Sequence, residues 1–247
     1  MNLNQSERLE DLQVGGLKII QDGEKYCFTS DSAILANFVS AKKSDRCLEI
    51  GCGNGVISIL VAHKCNPKEI VAFEVQPSAA LLADRNVELN NLKDKIKIVQ
   101  SPIQDFKNYV KHESFDVVFS NPPYMKTNEK SLVGENSSRA ISRHEILLSL
   151  KELIFCAAKL LKFGGKFCFV HRPERLSEIF SELKLNNLEP KKLLFVSPSE
   201  SKAPTIVLIE ARKGAKSGLE VLPTLIANDK DGSYIYTIKK LLGGENG

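Results

Sequence analysis

A short polar turn follows an apolar run at residues 116–124, DVVFSNPPY. The apolar half favours a buried strand, and Pro122 and Pro123 end it because proline has no backbone N–H for sheet pairing. The Asn121 side-chain oxygen and the Pro122 carbonyl are each able to accept an N–H from a planar nitrogen, and Tyr124 is able to stack on a flat ring. The pattern predicts a clamp for a flat substrate. A plain strand terminator is the alternative.

A second motif is glycine-rich and stands at the end of another predicted strand, LEIGCGNG at 48–55. Gly51 and Gly53 allow a sharp turn and a close approach to a ligand. The spacing is G-x-G-x-G, not the G-x-G-x-x-G of dinucleotide sites, and Glu49 would repel a pyrophosphate but suit an ammonium or sulfonium group. Glu74 ends the next strand, where an acid accepts hydrogen bonds from ribose hydroxyls. An ordinary glycine turn with a surface glutamate is the alternative.

Strands and helices alternate between these motifs and beyond them, which predicts an α/β fold with a mostly parallel sheet covered on both faces. The last two strands have no helix between them, so we expect one antiparallel strand. The predicted strands are 46–50, 69–75, 95–100, 114–120, 165–171, 191–197 and 203–212, and the longer helices are 55–64, 77–91, 145–162 and 173–187.

The N-terminal part is predicted to be an extension of the sheet domain. Residues 17–28 alternate around Asp22 and Gly23, which indicates a β-hairpin, and a short helix follows up to Phe38. We therefore divide the chain into an extension at 1–45 and a catalytic domain at 46–247. Within that domain, the polar segment 126–139 has no periodicity and is predicted to act as a lid or binding loop.

Composition excludes several classes of protein. The chain has 247 residues and a net charge of +4, which permits a polyanionic partner without requiring one. No signal peptide or membrane-spanning run is evident, so we expect a cytoplasmic protein. The cysteines are scattered, with no pair at metal-ligand spacing, so we expect reduced thiols and no metal at Cys27, Cys47, Cys52, Cys65, Cys156 and Cys168.

These motifs in this order resemble the class I S-adenosylmethionine-dependent methyltransferases over residues 46–212. The resemblance implies a Rossmann-like, mostly parallel seven-stranded sheet with one antiparallel strand, to which the N-terminal β-hairpin is added. The turn after the third strand departs from the family, because Pro102 stands where an acid usually meets the adenine; Ser101 or Asp105 would replace it. The cofactor residues implied are Thr29, Asp31, Glu49, Gly51, Gly53, Asn54, Glu74, Val75, Ser101, Ile103 and Asn121.

The N-P-P-Y turn is similar to that of enzymes that methylate planar nitrogens. Release-factor glutamine methyltransferases carry a helical domain that about 45 residues cannot hold, and rRNA guanine-N2 methyltransferases usually carry a second copy of the domain. The chain instead resembles the bacterial tRNA(Val) adenine-N6 methyltransferases. The resemblance extends beyond the catalytic motifs to residues 28–36, 142–145 and 210–235. The catalytic residues implied are Asn121, Pro122, Pro123 and Tyr124, and the expected RNA contacts are Lys126, Arg139, Arg143 and Lys202.

The resemblance implies a tRNA partner, with the methyl group placed on the adenine at position 37. We expect a monomer without an obligate protein partner. Two alternatives stay open: methylation of an rRNA guanine N2, a protein glutamine or a small molecule by the same turn, and an RNA-associated module that binds the cofactor without catalysis.

Overall fold

The computed structural model describes residues 3–23, 30–122 and 148–228. Its helices are α1 (Ser30–Phe38), α2 (Val56–Cys65), α3 (Pro77–Leu89), α4 (Leu150–Leu160) and α5 (Leu176–Leu185), with 3-10 turns at Ile103–Asn108 and Pro173–Arg175. Its strands are β1 (Glu7–Asp11), β2 (Lys18–Asp22), β3 (Arg46–Ile50), β4 (Glu69–Glu74), β5 (Ile96–Gln100), β6 (Phe115–Ser120), β7 (Leu161–His171), β8 (Leu188–Ser197), β9 (Ile206–Lys213), β10 (Glu220–Val221) and β11 (Leu225–Ile226).

Seven strands form the body of the sheet in the order β5-β4-β3-β6-β7-β9-β8. All of them are parallel except β9, which is antiparallel to both of its neighbours. The predicted seven-stranded sheet with one antiparallel strand is therefore confirmed. The two-residue strands β10 and β11 add to β8 in parallel and were not predicted.

The two faces of the sheet are covered by different helices. The hairpin turn, β2, α1, α2 and α3 supply one apolar layer, and α4, α5 and the 3-10 turn at Ile103–Asn108 supply the other. The central strands are apolar on both faces, as in Val117, Val118 and Phe119, which have no exposed surface. This is the pattern expected of a parallel sheet buried on both sides.

The N-terminal β-hairpin is confirmed for β1 and β2, whereas the predicted turn at Asp22-Gly23 leads into residues 24–28 and stays a prediction. β1 pairs with β2, and residues 12–17 connect them, with Leu12 N–H donating to the Leu17 carbonyl at 2.9 Å. Gly15 and Gly16 adopt positive φ angles in this turn, and a Cβ on Gly15 would lie 2.2 Å from the His63 ring of α2. Gly23 still bonds to Ser6 across the hairpin, so Asp22-Gly23 lies at the open end of the ladder. Residues 24–28 lie outside the described residues.

Lysine side chains satisfy the carbonyl groups at two helix ends. Lys64 Nζ donates to the Asn37 carbonyl and, at 3.0 Å, to that of Val39, where α1 ends. Lys213 Nζ donates to the carbonyls of Ala158 and Leu161 at the end of α4, at 2.7 and 2.8 Å. Both lysines place positive charge where the helix dipole is negative.

No helix within the described ranges combines the length and apolar character needed to cross a membrane.

Candidate active site

The predicted site residues meet where the winding of the sheet reverses. β3 pairs with β4 on one side and with β6 on the other, so the chain leaves β3 and β6 at adjacent carboxyl ends. Ligands of open α/β sheets bind at such a point. The two strand ends are tied together, because the buried Ser120 hydroxyl donates to the Ile50 carbonyl at 2.7 Å.

The glycine-rich loop has a conformation that few other residues adopt. Gly51, Gly53 and Gly55 have φ angles of 72°, 54° and 83°. A Cβ at Gly51 or Gly53 would meet no described atom within 4 Å, so backbone geometry and not crowding favours glycine there. At Gly55 a Cβ would lie 3.3 Å from the Cβ of Ala83, which shows how closely α3 packs on the loop.

Glu74 connects the glycine-rich loop to the end of β4. One carboxylate oxygen accepts from Gly53 N–H and the other from Gln76 N–H, each at 2.9 Å. The side chain is only 4% exposed. Its orientation is therefore fixed, while a carboxylate with two such bonds retains lone pairs for further donors.

Glu49 is a fully buried carboxyl at the end of β3. Its Oε2 accepts from the Ser58 hydroxyl and, at 3.1 Å, from Ser58 N–H on α2. Its Oε1 has no hydrogen-bond partner among the described residues. Burial raises the pKa of Glu49 to about 8, the two Ser58 bonds oppose that rise, and the nearby Glu74 adds to it.

Asn54 holds a second buried polar atom without a partner in the described structure, its Nδ2. The amide oxygen of the same side chain accepts from Val56 N–H at 3.3 Å at the start of α2. An unpaired buried acceptor on Glu49 and an unpaired buried donor on Asn54 are costly unless a ligand uses them. Together with the uncrowded glycines, they fit a ligand with a cationic and an anionic group, such as the amino acid end of S-adenosylmethionine.

Asn121 follows β6 directly and is partly exposed, as is Pro122. The Asn121 Nδ2 donates to the hydroxyl of Ser32 on α1 at 3.4 Å, so α1 packs beside the predicted catalytic turn. Pro123 and Tyr124 lie outside the described residues.

Further predicted cofactor residues lie beside Glu74. Val75 is half-buried directly after it, and Ser101 N–H donates to the Glu74 carbonyl at 3.0 Å. Ser101 and Ile103 are buried, while Asp105 is exposed on the 3-10 turn. Of the two predicted replacements for the missing acid, Ser101 is therefore the one that bonds to Glu74.

The remaining predicted site residues, which include the basic ones, are only partly described. Lys202 is exposed in the loop between β8 and β9, at the same edge of the sheet as Asn121. Asp31 lies in the first turn of α1. Thr29, Lys126, Arg139 and Arg143, with the whole segment 126–139, lie outside the described residues, and their predicted roles stay predictions.

Sequence reasoning missed Ser32, Ser58 and Asn86, whose side chains bond to Asn121, Glu49 and Asn54. Serine and asparagine inside helices give no distinctive sequence signal. Arg172, which directly follows β7 at the same edge and donates to the Thr205 carbonyl at 2.9 Å, was also missed.

Two curated relatives carry the same name, tRNA1(Val) (adenine(37)-N6)-methyltransferase. The protein of Aliivibrio salmonicida (strain LFI1238) is 27% identical over 210 residues, which cover 83% of this chain and 84% of that protein. The protein of Yersinia pestis (strain Pestoides F) is 33% identical over 155 residues, covering 62% of this chain and 60% of that protein. The chain thus spans less than two thirds of the Yersinia relative.

A solved structure shares the fold of this chain, and a family model identifies its family. A predicted O-methyltransferase from Agrobacterium tumefaciens has the same fold, with a TM-score of 0.68 at 19% identity, covering 87% of this chain and 96% of that one. The model of the methyltransferase small domain matches residues 28–188. The match includes the glycine-rich loop, Glu74 and Asn121. The chain belongs to the methyltransferase small domain family.

Proposed function

We propose that this protein transfers a methyl group from S-adenosylmethionine to the N6 amine of adenine 37 in a tRNA(Val). The observation that carries the proposal is the position of Asn121, directly after β6 and beside the glycine-rich loop at the reversal point of the sheet. The names of the two curated relatives support the same acceptor.

The cofactor would be held by the residues around the glycine-rich loop. Glu49 and Asn54 offer an acceptor and a donor to its ammonium and carboxylate groups, and Glu74 offers lone pairs to ribose hydroxyls. Val75, Ser101 and Ile103 would line the adenine. S-adenosylmethionine supplies an electrophilic methyl group on a sulfonium sulfur.

Asn121 would act on the adenine amine. The lone pair of an exocyclic amine is delocalised into the ring, so the nitrogen is a weak nucleophile. The Asn121 amide oxygen and the Pro122 carbonyl would each accept a hydrogen bond from one N–H group of this amine. These bonds would fix the orientation of the nitrogen and increase the electron density at its lone pair. Pro123 would make the turn rigid, and Tyr124 would stack on the base.

The proposal extends to the partner and the cell compartment. tRNA is the macromolecular substrate, and the adenine must leave its stacked position to enter the site. RNA phosphates would be contacted by basic side chains, so the affinity for tRNA should fall as the salt concentration rises. These side chains are Lys126, Arg139, Arg143 and Lys202. The protein acts as a cytoplasmic monomer of an extension at 1–45 and a catalytic domain at 46–247.

Radiolabelled methyl transfer tests this mechanism, with bulk tRNA, rRNA and protein offered as separate acceptors. We expect incorporation into tRNA and a fall in turnover of about a hundredfold for Asn121→Ala, because an oriented polar group is lost. Asn121→Asp keeps an acceptor oxygen and should retain more activity. Cofactor affinity should stay within about twofold in both variants. An Asn121→Ala enzyme with wild-type turnover would refute the role of Asn121, and labelling of protein alone would refute the acceptor.

A further inference from the structure

A fully buried asparagine on α3 bonds to the N-terminal hairpin and to the glycine-rich loop at once. Asn86 Nδ2 donates to the Ile20 carbonyl at 3.0 Å and to the Asn54 carbonyl at 2.9 Å. Its Oδ1 accepts from Ile20 N–H at 2.7 Å. Both amide hydrogens and the amide oxygen are therefore used, and the side chain has no exposed surface.

Asn90 repeats half of this arrangement one helical turn later. Its Oδ1 accepts from Lys18 N–H at 2.9 Å, and its Nδ2 donates to the Lys18 carbonyl at 2.7 Å. Residues four apart share a helix face, and residues two apart in a strand share an edge. The two asparagines thus serve β2 as a neighbouring strand would. Asn90 is partly exposed, and its Nδ2 also donates to the Asn86 carbonyl at 2.8 Å.

The hairpin also has contacts with the helices that do not depend on Asn86. Glu7 of β1 forms an ion pair with Arg85 of α3 at 2.6 Å, and Gly15 packs closely on His63 of α2. These contacts hold the hairpin in place. Asn86 differs from them because its second hydrogen reaches the backbone of Asn54, the residue whose buried Nδ2 has no partner in the described structure.

We propose that Asn86 is a positioning residue that couples the N-terminal hairpin to the glycine-rich loop. By holding the Asn54 carbonyl, it sets the place from which the Asn54 side chain meets the cofactor. The inference rests on the proposed function only in taking this loop as the cofactor site. Coupling between two sites is reciprocal, so a ligand on the loop must also stabilise the hairpin.

Calorimetry with S-adenosylhomocysteine tests the coupling, with Asn90→Ala as the matched control. Asn86→Ala should weaken affinity about tenfold, equivalent to the loss of one buried hydrogen bond. It should raise KM for S-adenosylmethionine more than it lowers kcat. Asn90→Ala removes two hairpin bonds but should leave affinity within about twofold.

A second variant and a measurement on the wild type keep the test independent of folding. Asn86→Asp preserves volume and the acceptor for Ile20 N–H but has no N–H for the two carbonyls, so it should also weaken affinity. S-adenosylhomocysteine should slow hydrogen exchange across residues 7–22 in the wild type and in Asn90→Ala. Equal affinities for the Asn86 and Asn90 variants, or hairpin exchange unchanged by the ligand, would overturn the inference. A wild type that does not bind the ligand would instead overturn the proposed function.

Discussion

Glu74 has one role within the glycine-rich loop and a second, proposed role toward the cofactor. Its carboxylate bonds to Gly53 and Gln76, and it is proposed to hold the cofactor ribose. Glu74→Gln keeps one acceptor oxygen and nearly the same volume, but it replaces the other oxygen with a donor facing a backbone N–H. Calorimetry should show S-adenosylhomocysteine affinity lowered by about tenfold or more.

The partly exposed ion pair of Glu69 with Arg46 provides a control at the other end of β4. Glu69→Gln should leave the affinity within about twofold, because surface pairs contribute little and this one is remote from the loop. Unchanged affinity in Glu74→Gln would show that the ribose role is wrong.

Glu49 should make the stability of the ligand-free protein depend on pH. Burial raises the pKa of its carboxyl to about 8, from its usual 4.5. Between these values the folded state holds a proton that the unfolded state has lost, so stability falls as pH rises. Burial lowers the pKa of His171 to about 4, from 6.5, which gives the opposite slope below pH 6.5. The Glu49 effect should therefore be clearest between pH 6.5 and 8.

Glu49→Gln removes the titrating group and retains the size of the side chain. Its melting temperature should vary less than that of the wild type between pH 6.5 and 8, as measured by calorimetry without cofactor. Parallel curves for the two proteins would indicate that Glu49 is ionised throughout this range.

At the scale of the element, the glycine-rich loop should respond to a single methyl group. Gly53 has φ 54°, and a side chain there would cost about 1 kcal/mol of stability through backbone strain. Gly164 in β7 has φ 78° and, like Gly53, no described atom within 4 Å of an added Cβ. Gly53→Ala and Gly164→Ala should therefore be destabilised similarly in denaturant unfolding.

Only Gly53→Ala should lose affinity for S-adenosylhomocysteine, because the backbone N–H of Gly53 donates to Glu74. Similar affinity losses in both variants would mean that the effect is one of general stability. Normal affinity in Gly53→Ala would mean that the loop does not approach the cofactor.

Local sequence signals predicted the elements better than their ends. The helix predicted at 145–162 is described as Leu150–Leu160. Ser149 accepts from Glu152 N–H, and the Glu152 side chain accepts from Ser149 N–H, a capping box that the sequence contains as S-x-x-E. Both Asp22-Gly23 and Gly15-Gly16 are turn signals in the sequence. The turn between β1 and β2 contains Gly15, which packs on His63 of α2, and this contact exists only in the folded chain.

At the scale of the whole molecule, alternation of strands and helices was sufficient to predict the sheet. Right-handed crossovers and short connections leave few topologies, so the meeting of Gly51, Glu74 and Asn121 followed from their places at strand ends. The bonds of Asn86 could not be predicted in this way. They join residues 66 and 32 positions apart through a helix side chain that has no motif of its own.

A pair of unmodified tRNA(Val) transcripts tests whether adenine 37 of tRNA(Val) receives the methyl group. One transcript carries adenine at position 37 and the other guanine, and both are incubated with the enzyme and S-adenosylmethionine before nucleoside mass spectrometry. We expect N6-methyladenosine in the first transcript, none in the second, and none from Asn121→Ala with either. Methylated guanosine, or N6-methyladenosine that persists without adenine 37, would contradict this expectation.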